Sequence, residues 1–574
     1  MARPHQEIRP SQFIISYGPG SIVETRSGPV VVRSMDRLFR HINRDPQDFE
    51  IIDDRLSRAE LRGARIARIP TNADLEWPTD DPVYPTERFP YWALCIRHPP
   101  VQILHPVRNG CPRCPAGQRQ VAGAAAIRFI LACPAGHLDE VNWGRIVHPA
   151  GGTCRPDHYV WHGGGRALRH VTIECPDCNS RQNFGTAYGR PWPCTGRQPE
   201  IEQPRSPGCT EDAKIMQRGA ANLHLPVVAS ALTILDMPTR LHTVLKDRGI
   251  LGAARVLRNL GRLDQPTFLG EMQNANLAQA TLDFLQRTPW NELRDALDQL
   301  LDQQGGIARP VRDEEFDRLV RAATQGAPPM QPVTPTPGTP PLFEVRLPDV
   351  RRFHGPAGRL RFRVTPVSRL RMVMAQTGYQ RLDPQTAPAV DVSFEWGGRR
   401  WYPGVELFGE GIFIDLDGAS TALAGPREQV WQQRHGANPQ VLLHPVHVWW
   451  HSLSHRLLTA LSVDSGYSST AIRERTYLRF DANGNALGGI LLYTVQPGGD
   501  GTLGGLISLV PSFTNILDDA LRDAGTCSND PLCAEAPGAG SDGAACYSCL
   551  LVSETSCEHR NLGLDRLLLL ENLP

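Results

Sequence analysis

Lysine is nearly missing from this sequence. Lysine and arginine together number 60, and only Lys214 and Lys246 among them are lysines. A phosphate-binding loop of the GxxxxGK[ST] type needs a lysine directly after a glycine, and neither lysine follows one. The sequence therefore excludes a P-loop NTPase motor. A GC-rich genome explains the bias toward arginine without any functional role.

Long apolar runs and an excess of one charge are also lacking. No run approaches the roughly 20 apolar residues of a membrane helix, and the first residues lack the apolar core of a signal peptide. We therefore expect a cytosolic protein with no membrane partner. The 60 basic residues balance 60 acidic ones, which excludes coating of nucleic acid by net charge alone. A DNA site would have to be a local arginine patch.

Length and residue patterns predict a multi-domain α+β protein. The chain has 574 residues, too many for one hydrophobic core. We expect an N-terminal α/β segment over 1–105, a zinc-ribbon region rich in Cys, Gly and Pro over 106–212, and a helical region over 213–325, where apolar residues recur every three to four positions. Proline-rich residues 326–342 predict a linker or loop, because proline continues neither a helix nor a central strand. A mixed α/β C-terminal domain with a zinc site is expected over 343–574.

Fourteen cysteines, most of them in three clusters, carry the clearest chemical signal. The first cluster is Cys111-x2-Cys114 followed by Cys133-x3-His137. Each short spacing places two soft ligands on one tight turn, as tetrahedral zinc requires. Buried thiols or a redox pair are the alternatives. We predict one zinc ion held by these four residues.

The second cluster offers five thiols for one tetrahedral ion. Cys175-x2-Cys178 forms a short knuckle, and the other thiols lie further apart along the chain. We predict Cys175, Cys178, Cys194 and Cys209 as ligands, with Cys154 as the substitute for one of them. The spacing favours zinc but leaves the choice of the fifth thiol open.

The third cluster, near the C-terminus, again has five thiols for one ion. It consists of Cys527-x5-Cys533, Cys546-x2-Cys549 and a single later cysteine. We predict Cys533, Cys546, Cys549 and Cys557 as ligands, with Cys527 as the thiol that does not bind the ion. The knuckle in the middle of this cluster is the part that indicates zinc.

All three predicted sites are typical of structural zinc, so about three ions are expected. Catalytic zinc keeps an open position and usually has His and carboxylate ligands with a general base nearby, whereas these clusters are dominated by thiolates. An iron–sulfur cluster also takes four thiolates and remains an alternative. Cys95 stands alone in the sequence and is most simply a buried small hydrophobic residue.

A histidine-rich stretch, 444–455, lies within a helix expected at about 447–461. His451 and His455 are four residues apart and share one helix face, where they could bind a metal or act as acid and base with Glu474. Packing beside two tryptophans is the interpretation we favour. The HExxH motif is missing, since Ser-Leu-Ser separates the two histidines.

Several stretches, taken together and in order, resemble one known family. They are RPSQFIISYGPGSIVE, CPRC with CPAGHLDEVNW, RGAANLHLPVVASAL, RLRMVMAQTGYQRL, GEGIFIDL, LLHPVHVWWHSLSHRLL, GYSSTAIRERTY and the cysteine-rich stretch from CSNDPLCAEA to CEHRNLGLDR. The family is DrmB, the accessory subunit of the bacterial anti-phage system DISARM, and the matching stretches run from Arg9 to Arg566. The C-terminal part also resembles the zinc-binding domain of unknown function in MrfA-like repair helicases.

The resemblance implies a non-motor subunit that docks on a DrmA-like helicase and helps it engage DNA. The missing P-loop agrees with this, because the motor would then lie on the other chain. Two alternatives stay open: a hydrolase or nuclease that uses the histidine-rich stretch 444–455 with Glu474, and a zinc-ribbon adaptor outside DNA metabolism.

Overall fold

The structure is a computed structural model of the chain. It describes residues 8–570 except for the following: 26, 117–124, 152–153, 164–166, 202–207, 234–239, 246, 276, 278, 304–309, 327–340, 355–359, 385, 418–425, 437–440, 469, 482, 498–503, 536–542 and 554. Residues 327–340, which make up most of the predicted proline-rich linker, therefore lie outside the described residues.

The chain forms two compact units, each assembled from three separate stretches. Unit 1 comprises Met1–Ile52, Leu61–Ser230 and Met374–Val405. Unit 2 comprises Asp53–Glu60, Ala231–Val373 and Glu406–Pro574. The sequence predicts domains that follow one another along the chain, and those boundaries stay a prediction.

Short antiparallel strands build most of unit 1. One sheet contains Ile22–Thr25, Gly28–Val32 and Thr86–Arg88. A second sheet is ordered Leu138–Glu140, Phe129–Ala132, Asp212–Gln217 and Trp192–Pro193. A third is ordered Arg181–Asn183, Thr172–Glu174, Tyr159–His162, Val101–Pro106, Trp92–Cys95 and Ala125–Ala126. The second and third sheets carry cysteines and histidines at or near the ends of their strands.

Further strands and short helices complete unit 1. Arg65–Arg68 pairs antiparallel with Glu50–Ile51 and parallel with residues 401–404. Short strands also form at Val390–Asp391 and Phe394–Trp396. The α-helices are Pro10–Gln12, Met35–Ile42, Trp143–Val147 and Phe184–Tyr188. A π-helical turn spans Phe13–Tyr17, and 3₁₀ turns span Pro46–Phe49, Leu168–His170, Pro199–Ile201 and Ala221–Leu223.

An aromatic cluster fills one core of unit 1. Phe129, Trp143, Trp161 and Phe184 are buried, and the ring centroids of Phe129 and Phe184 lie 4.7 Å apart. Strands of two to six residues bury little apolar surface each, so large rings supply much of the packing. Cys133 and Cys175 belong to the same cluster of buried residues, which places the zinc-ribbon chemistry beside this core.

Unit 2 contains the helical region that the periodicity predicts, although it starts later than expected. Residues 212–217 and 225–232 are strands, and the first described helix after them begins at Arg240. The α-helices of unit 2 are Asp54–Ala59, Arg240–Leu245, Arg248–Asn259, Gln265–Asn274, Gln279–Arg287, Trp290–Gln303, Val311–Gln325, Pro426–His435, Pro445–Asp464, Phe513–Arg522 and Leu532–Glu535. Among the described residues, no helix combines the length and apolar character required to cross a bilayer.

Long antiparallel strands form the sheet of unit 2. The second half of strand Arg399–Leu416 pairs with Ala486–Pro497, which in turn pairs with Ile472–Phe480. The remaining strands with residues in this unit are Leu225–Leu232, Glu344–Val345, Arg351–His354 and Arg361–Gln380. Short 3₁₀ turns span Leu347–Asp349, Val441–Leu443, Ile507–Ser512, Asp523–Gly525 and Leu568–Leu570.

The helix Pro445–Asp464, named here the histidine helix, lies at the centre of the unit 2 core. It is buried on nearly every side over most of its length. Trp449 and Trp450 are both 0 % exposed and pack near Phe362 of the sheet. The predicted packing of the two tryptophans is therefore confirmed. The histidines of this helix are buried as well, so their ring nitrogens need polar partners. Together the two units give the predicted α+β class.

Candidate metal centres

Every cysteine of the chain belongs to a group of potential metal ligands. All fourteen are free thiols. In the part of the chain that the structure describes, five groups bring one ligand atom from each of four residues within 4.8 Å of one another. We number them: site 1, Cys95, His98, Cys111 and Cys114; site 2, Cys133, His137, Cys194 and Cys209; site 3, His148, Cys154, Cys175 and Cys178; site 4, Cys527, Cys533, Cys546 and Cys549; site 5, His451, His455, Glu474 and Cys557.

Site 1 joins two short knuckles from neighbouring strands. Cys95 ends the strand Trp92–Cys95 and His98 follows in the next turn, while Cys111 and Cys114 form a turn in which the N–H of Cys114 donates to the Cys111 carbonyl. The Sγ atoms of Cys95 and Cys114 lie 3.7 Å apart, and Nε2 of His98 lies 3.2 Å from Sγ of Cys111. Burial raises the pKa of the Cys111 thiol to about 12, so this thiol needs a cation to ionise at neutral pH.

Site 2 is organised by a tight hairpin between two strands. Sγ of Cys133 lies 3.3 Å from Nδ1 of His137 and 3.4 Å from Sγ of Cys194. Gly136 in this hairpin has φ 89°, and a Cβ there would lie 2.0 Å from a valine methyl group, so both conformation and space require glycine. The buried Arg381 donates from Nε to the Gly136 carbonyl at 2.8 Å, which fixes the turn that carries the ligands.

Site 3 combines a helix end with a thiol knuckle. His148 caps the C-terminus of helix Trp143–Val147, and its Nδ1–H donates to the Gly144 carbonyl at 3.1 Å. Its Nε2 then carries the lone pair and lies 3.3 Å from Sγ of Cys178. Hydrogen bonds from the side chain and the backbone N–H of Ser180 lower the pKa of the Cys178 thiol to about 6. This thiol is therefore ionised at neutral pH, as metal binding requires.

Site 4 is a four-thiol site. The Sγ atoms of Cys533 and Cys549 lie 3.7 Å apart, as do those of Cys546 and Cys549, and those of Cys527 and Cys546 lie 3.5 Å apart. Backbone N–H groups of Asn529 and Cys546 donate to Sγ of Cys527 and Cys549. Burial opposes ionisation of Cys546, but hydrogen bonds from the Asn529 side chain and from the N–H two residues along lower its pKa to about 6.

The donor sets of sites 1 to 4 fit zinc. A zinc–sulfur bond of about 2.3 Å in tetrahedral geometry places two sulfur atoms about 3.7 Å apart, and a sulfur and a nitrogen about 3.5 Å apart. The observed separations, 3.4–3.7 Å between sulfur atoms and 3.2–3.5 Å between sulfur and nitrogen, are close to these values. A disulfide would need about 2.05 Å. Sites 1 to 3, each with three cysteines and one histidine, and site 4, with four cysteines, therefore suit closed structural zinc sites.

Site 5 differs from the others in its donors and its burial. Nε2 of His451 lies 2.9 Å from Oε1 of Glu474 and 3.3 Å from Sγ of Cys557. Nε2 of His455 lies 3.2 Å from the same carboxylate oxygen. Both histidines are 0 % exposed, Glu474 is 1 % exposed and Cys557 is 4 % exposed. Burial and the Glu474 carboxylate raise the pKa of the Cys557 thiol well above its ordinary value.

The structure groups the predicted ligands differently from the sequence. Cys111 and Cys114 lie with Cys95 and His98, and not with Cys133 and His137. The second predicted set is divided, because Cys175 and Cys178 belong to site 3 whereas Cys194 and Cys209 belong to site 2. In the third set, Cys527 takes the place expected for Cys557, and Cys557 joins site 5. All twelve predicted ligands lie in one of the five groups, and their role as ligands stays a prediction.

Four members of sites 1 and 3 are not among the predicted ligands, for different reasons. Cys95 and His98 form a C-x2-H knuckle shortly before Cys111, a spacing that the sequence displays. The sequence predicts Cys154 only as a substitute for another ligand. His148 has no cysteine nearer than six residues, so no short spacing marks it. Its position follows only from the helix that places it opposite Cys178.

Two family models match regions of the chain that contain the candidate metal sites. The family model described as a domain of unknown function (DUF8724) matches residues 9–225, which include sites 1 to 3. The model of the MrfA Zn-binding domain matches residues 453–550, which include site 4. A curated relative, the DISARM protein DrmB of Bacillus paralicheniformis, is 27% identical over 516 residues that cover 82% of this chain and 84% of the relative.

The resemblance to DrmB is confirmed. The DrmB relative matches over most of its length, whereas a crystal structure of the DUF1998 helicase MrfA bound to DNA matches 38% of this chain and only 23% of that chain. That match has 12% identity and a TM-score of 0.19, a level that supports no shared fold. The prediction of bound zinc is confirmed by the Zn-binding domain match together with the thiol groups.

Proposed function

We propose that this chain is a non-motor subunit of an anti-phage defence complex in the cytoplasm, with a fold stabilised by structural zinc. The observation that carries the proposal is the likeness to the DISARM protein DrmB over 82% of this chain. In this proposal the chain docks on a DrmA-like helicase and helps it engage DNA. The sequence supplies no Walker lysine, so ATP hydrolysis belongs to the partner.

The metal sites support a scaffolding role. Sites 1 to 4 each offer four protein ligands, so zinc there would have no open position for substrate or water. Structural zinc stabilises small domains directly, because binding free energy becomes folding free energy. The balanced charge of 60 basic and 60 acidic residues implies modest DNA affinity for the chain alone. We therefore expect tight DNA binding only in the complex.

The hydrolase alternative is less well supported by the geometry. Its residues, His451 and Glu474, are 0 % and 1 % exposed, so a phosphodiester cannot reach them without opening the core. A general base must come within hydrogen-bond reach of the proton it takes. These side chains instead contact each other and Cys557.

Co-purification and ATP turnover test the proposal. The full-length chain is expressed with a DrmA-like helicase, and complex formation, ATP hydrolysis and DNA affinity are measured for each protein and for the pair. We expect turnover only with the helicase, loss of turnover on mutation of the helicase Walker lysine, and stronger DNA binding by the pair. Absence of a complex, together with unchanged phage plaque counts when the chain is deleted, would favour an adaptor outside DNA metabolism.

A second measurement separates the subunit from a hydrolase. Glu474→Ala should lower the yield of folded complex but leave ATP turnover per assembled complex unchanged. The isolated chain should not cleave a generic phosphodiester, single-stranded DNA or duplex DNA. Cleavage that follows this chain through purification and is lost in Glu474→Ala would instead establish the hydrolase.

A further inference from the structure

The hydrogen bonds around site 5 fix the tautomers of its two histidines. Nδ1 of His451 lies 3.1 Å from the carbonyl oxygen of Gly563, and Nδ1 of His455 lies 2.7 Å from that of Leu550. A carbonyl oxygen only accepts, so each Nδ1 carries the hydrogen and donates it. In the neutral ring the other nitrogen, Nε2, then holds a lone pair. Both lone pairs are directed into site 5.

Site 5 therefore gathers acceptors that repel one another. Oε1 of Glu474 lies 2.9 Å from Nε2 of His451 and 3.2 Å from Nε2 of His455, and a carboxylate oxygen also only accepts. Protonation of both rings would supply donors, but it would place two imidazolium ions in the core with ring centroids 4.6 Å apart. Burial of charge is unfavourable, and like charges add repulsion. A single cation between the four atoms satisfies all of them at once.

The geometry and the charge of site 5 both match a divalent metal ion. Tetrahedral zinc places two nitrogen or oxygen ligands about 3.3 Å apart, and a nitrogen and a sulfur about 3.5 Å apart. The observed separations are 2.9, 3.2 and 3.3 Å. One carboxylate, one thiolate and two neutral imidazoles carry two negative charges, which a divalent ion cancels. Neutrality suits this site because its four side chains are almost completely buried.

The orientation of the ligands supports the same conclusion. Metal-binding histidines usually donate their second ring N–H to a carbonyl or carboxylate, which holds the ring in place. Both histidines of site 5 do so. Sγ of Cys557 accepts the backbone N–H groups of His559 and Asn561 at 3.3 and 3.2 Å, as expected for a thiolate ligand.

We propose that His451, His455, Glu474 and Cys557 bind one zinc ion in a closed, buried site. The ion ties the histidine helix to strand Ile472–Phe480 and to the C-terminal loop that carries Cys557. The match to the MrfA Zn-binding domain covers residues 453–550, so His451 and Cys557 lie beyond it. In this proposal the metal-binding region of unit 2 therefore extends beyond both ends of that match. This proposal does not depend on docking to a helicase or on DNA.

Metal counting by native mass spectrometry tests site 5 on the full-length protein. The wild-type chain, Glu474→Gln and a control, Glu410→Gln, are loaded with zinc and their bound ions counted. Glu410 is also 0 % exposed and accepts the backbone N–H of Leu506 at 3.0 Å, but it belongs to none of the five groups. We expect Glu474→Gln to hold one zinc ion fewer than wild type and Glu410→Gln to hold the same number. Equal counts for wild type and folded Glu474→Gln would overturn the proposal.

Anomalous diffraction gives an answer that needs no variant. Crystals of the wild-type protein are measured on both sides of the zinc absorption edge. An anomalous peak enclosed by the two Nε2 atoms, the Glu474 carboxylate and Sγ of Cys557 is the expected result. Peaks at sites 1 to 4 without one at site 5 would refute the proposal, even if Glu474→Gln failed to fold.

Discussion

Glu315→Gln tests how strongly a buried charge pair stabilises unit 2. Glu315 lies on helix Val311–Gln325 and is 0 % exposed. Its carboxylate accepts Nε and Nη2 of Arg475 at 2.7 and 2.8 Å and the N–H of Leu232 at 2.9 Å. Burial opposes ionisation of Glu315, but Arg475 and Arg55 hold its pKa below the ordinary value. The carboxylate is therefore charged at neutral pH.

The expected cost follows from the loss of the carboxylate that pairs with Arg475 at 2.7 and 2.8 Å, since the carboxylate of Glu558 lies 4.0 Å from that guanidinium. Glutamine keeps the shape of Glu315 but replaces one acceptor oxygen with a donor that faces the guanidinium of Arg475, which is itself 0 % exposed. Removal of one partner from a buried ion pair costs about 3–5 kcal/mol. At about 1.4 kcal/mol per factor of ten, even the lower figure corresponds to more than a hundredfold change in an opening equilibrium.

Hydrogen exchange with peptide resolution is the appropriate assay, because a chain with two units need not unfold in one step. Peptides from helix Val311–Gln325 and strand Ile472–Phe480 should exchange about a hundred times faster in Glu315→Gln. Glu271→Gln, the same change at an exposed helix position, should shift exchange by less than about 0.5 kcal/mol.

The double variant Glu315→Gln/Arg475→Met distinguishes an unpaired charge from a general packing defect. It should recover part of the loss, since it removes the buried guanidinium that has lost the Glu315 carboxylate. An exchange rate in Glu315→Gln within threefold of wild type, or a double variant no better than the sum of its single changes, would refute the reasoning.

Three further outcomes are expected. Cys95→Ser should lose one zinc ion and accelerate exchange in strand Trp92–Cys95; an unchanged zinc count would mean that Cys95 is no ligand. Cys546→Ser should lose one zinc ion and destabilise the C-terminal region by several kcal/mol, whereas Tyr547→Ala, at a 92 % exposed neighbouring position, should change neither. Hydrogen bonds from Arg68 lower the pKa of Asp74 to about 2. A lowered pKa makes the carboxylate stabilising above its ordinary value of 3.8, and this contribution is lost as pH falls through about 2. Asp74→Asn should therefore flatten the acid dependence of stability in that window, and an unchanged profile would contradict the assignment.

The sequence predicts the metal-binding turns better than it predicts their pairing. Short spacings such as Cys175-x2-Cys178 describe one local turn, which depends on a few backbone angles only. Which two turns share an ion depends on strand pairing over long distances. Cys133, for example, meets Cys194 across 61 residues because their strands belong to one sheet. Three of the four thiol-rich sites obtain a histidine in place of a fourth cysteine, and only two of those histidines stand in a short spacing with a cysteine.

Site 5 shows a second limit of sequence reasoning. Its ligands come from a helix, a strand and a loop, and 83 residues separate Glu474 from Cys557. The i, i+4 spacing of His451 and His455 places both on one face of the helix, as the sequence indicates, yet the neighbouring tryptophans favour packing as the interpretation of that face. Both interpretations hold in part, because the tryptophans and the histidines of the histidine helix are buried in the same core. The long periodic helices were predictable because apolar spacing is a local property.

The interleaving of the two units has a consequence for synthesis on the ribosome. Unit 1 needs residues 374–405, and the stretch 231–373 that precedes them belongs to unit 2. The core of unit 1 therefore cannot be completed until 175 residues beyond Ser230 have been synthesised. The ligands of sites 1 to 3 all precede residue 210. Zinc bound there during synthesis would stabilise the turns of the nascent chain before the core of unit 1 is complete. Truncation between the two units is accordingly expected to yield incomplete cores rather than separable domains.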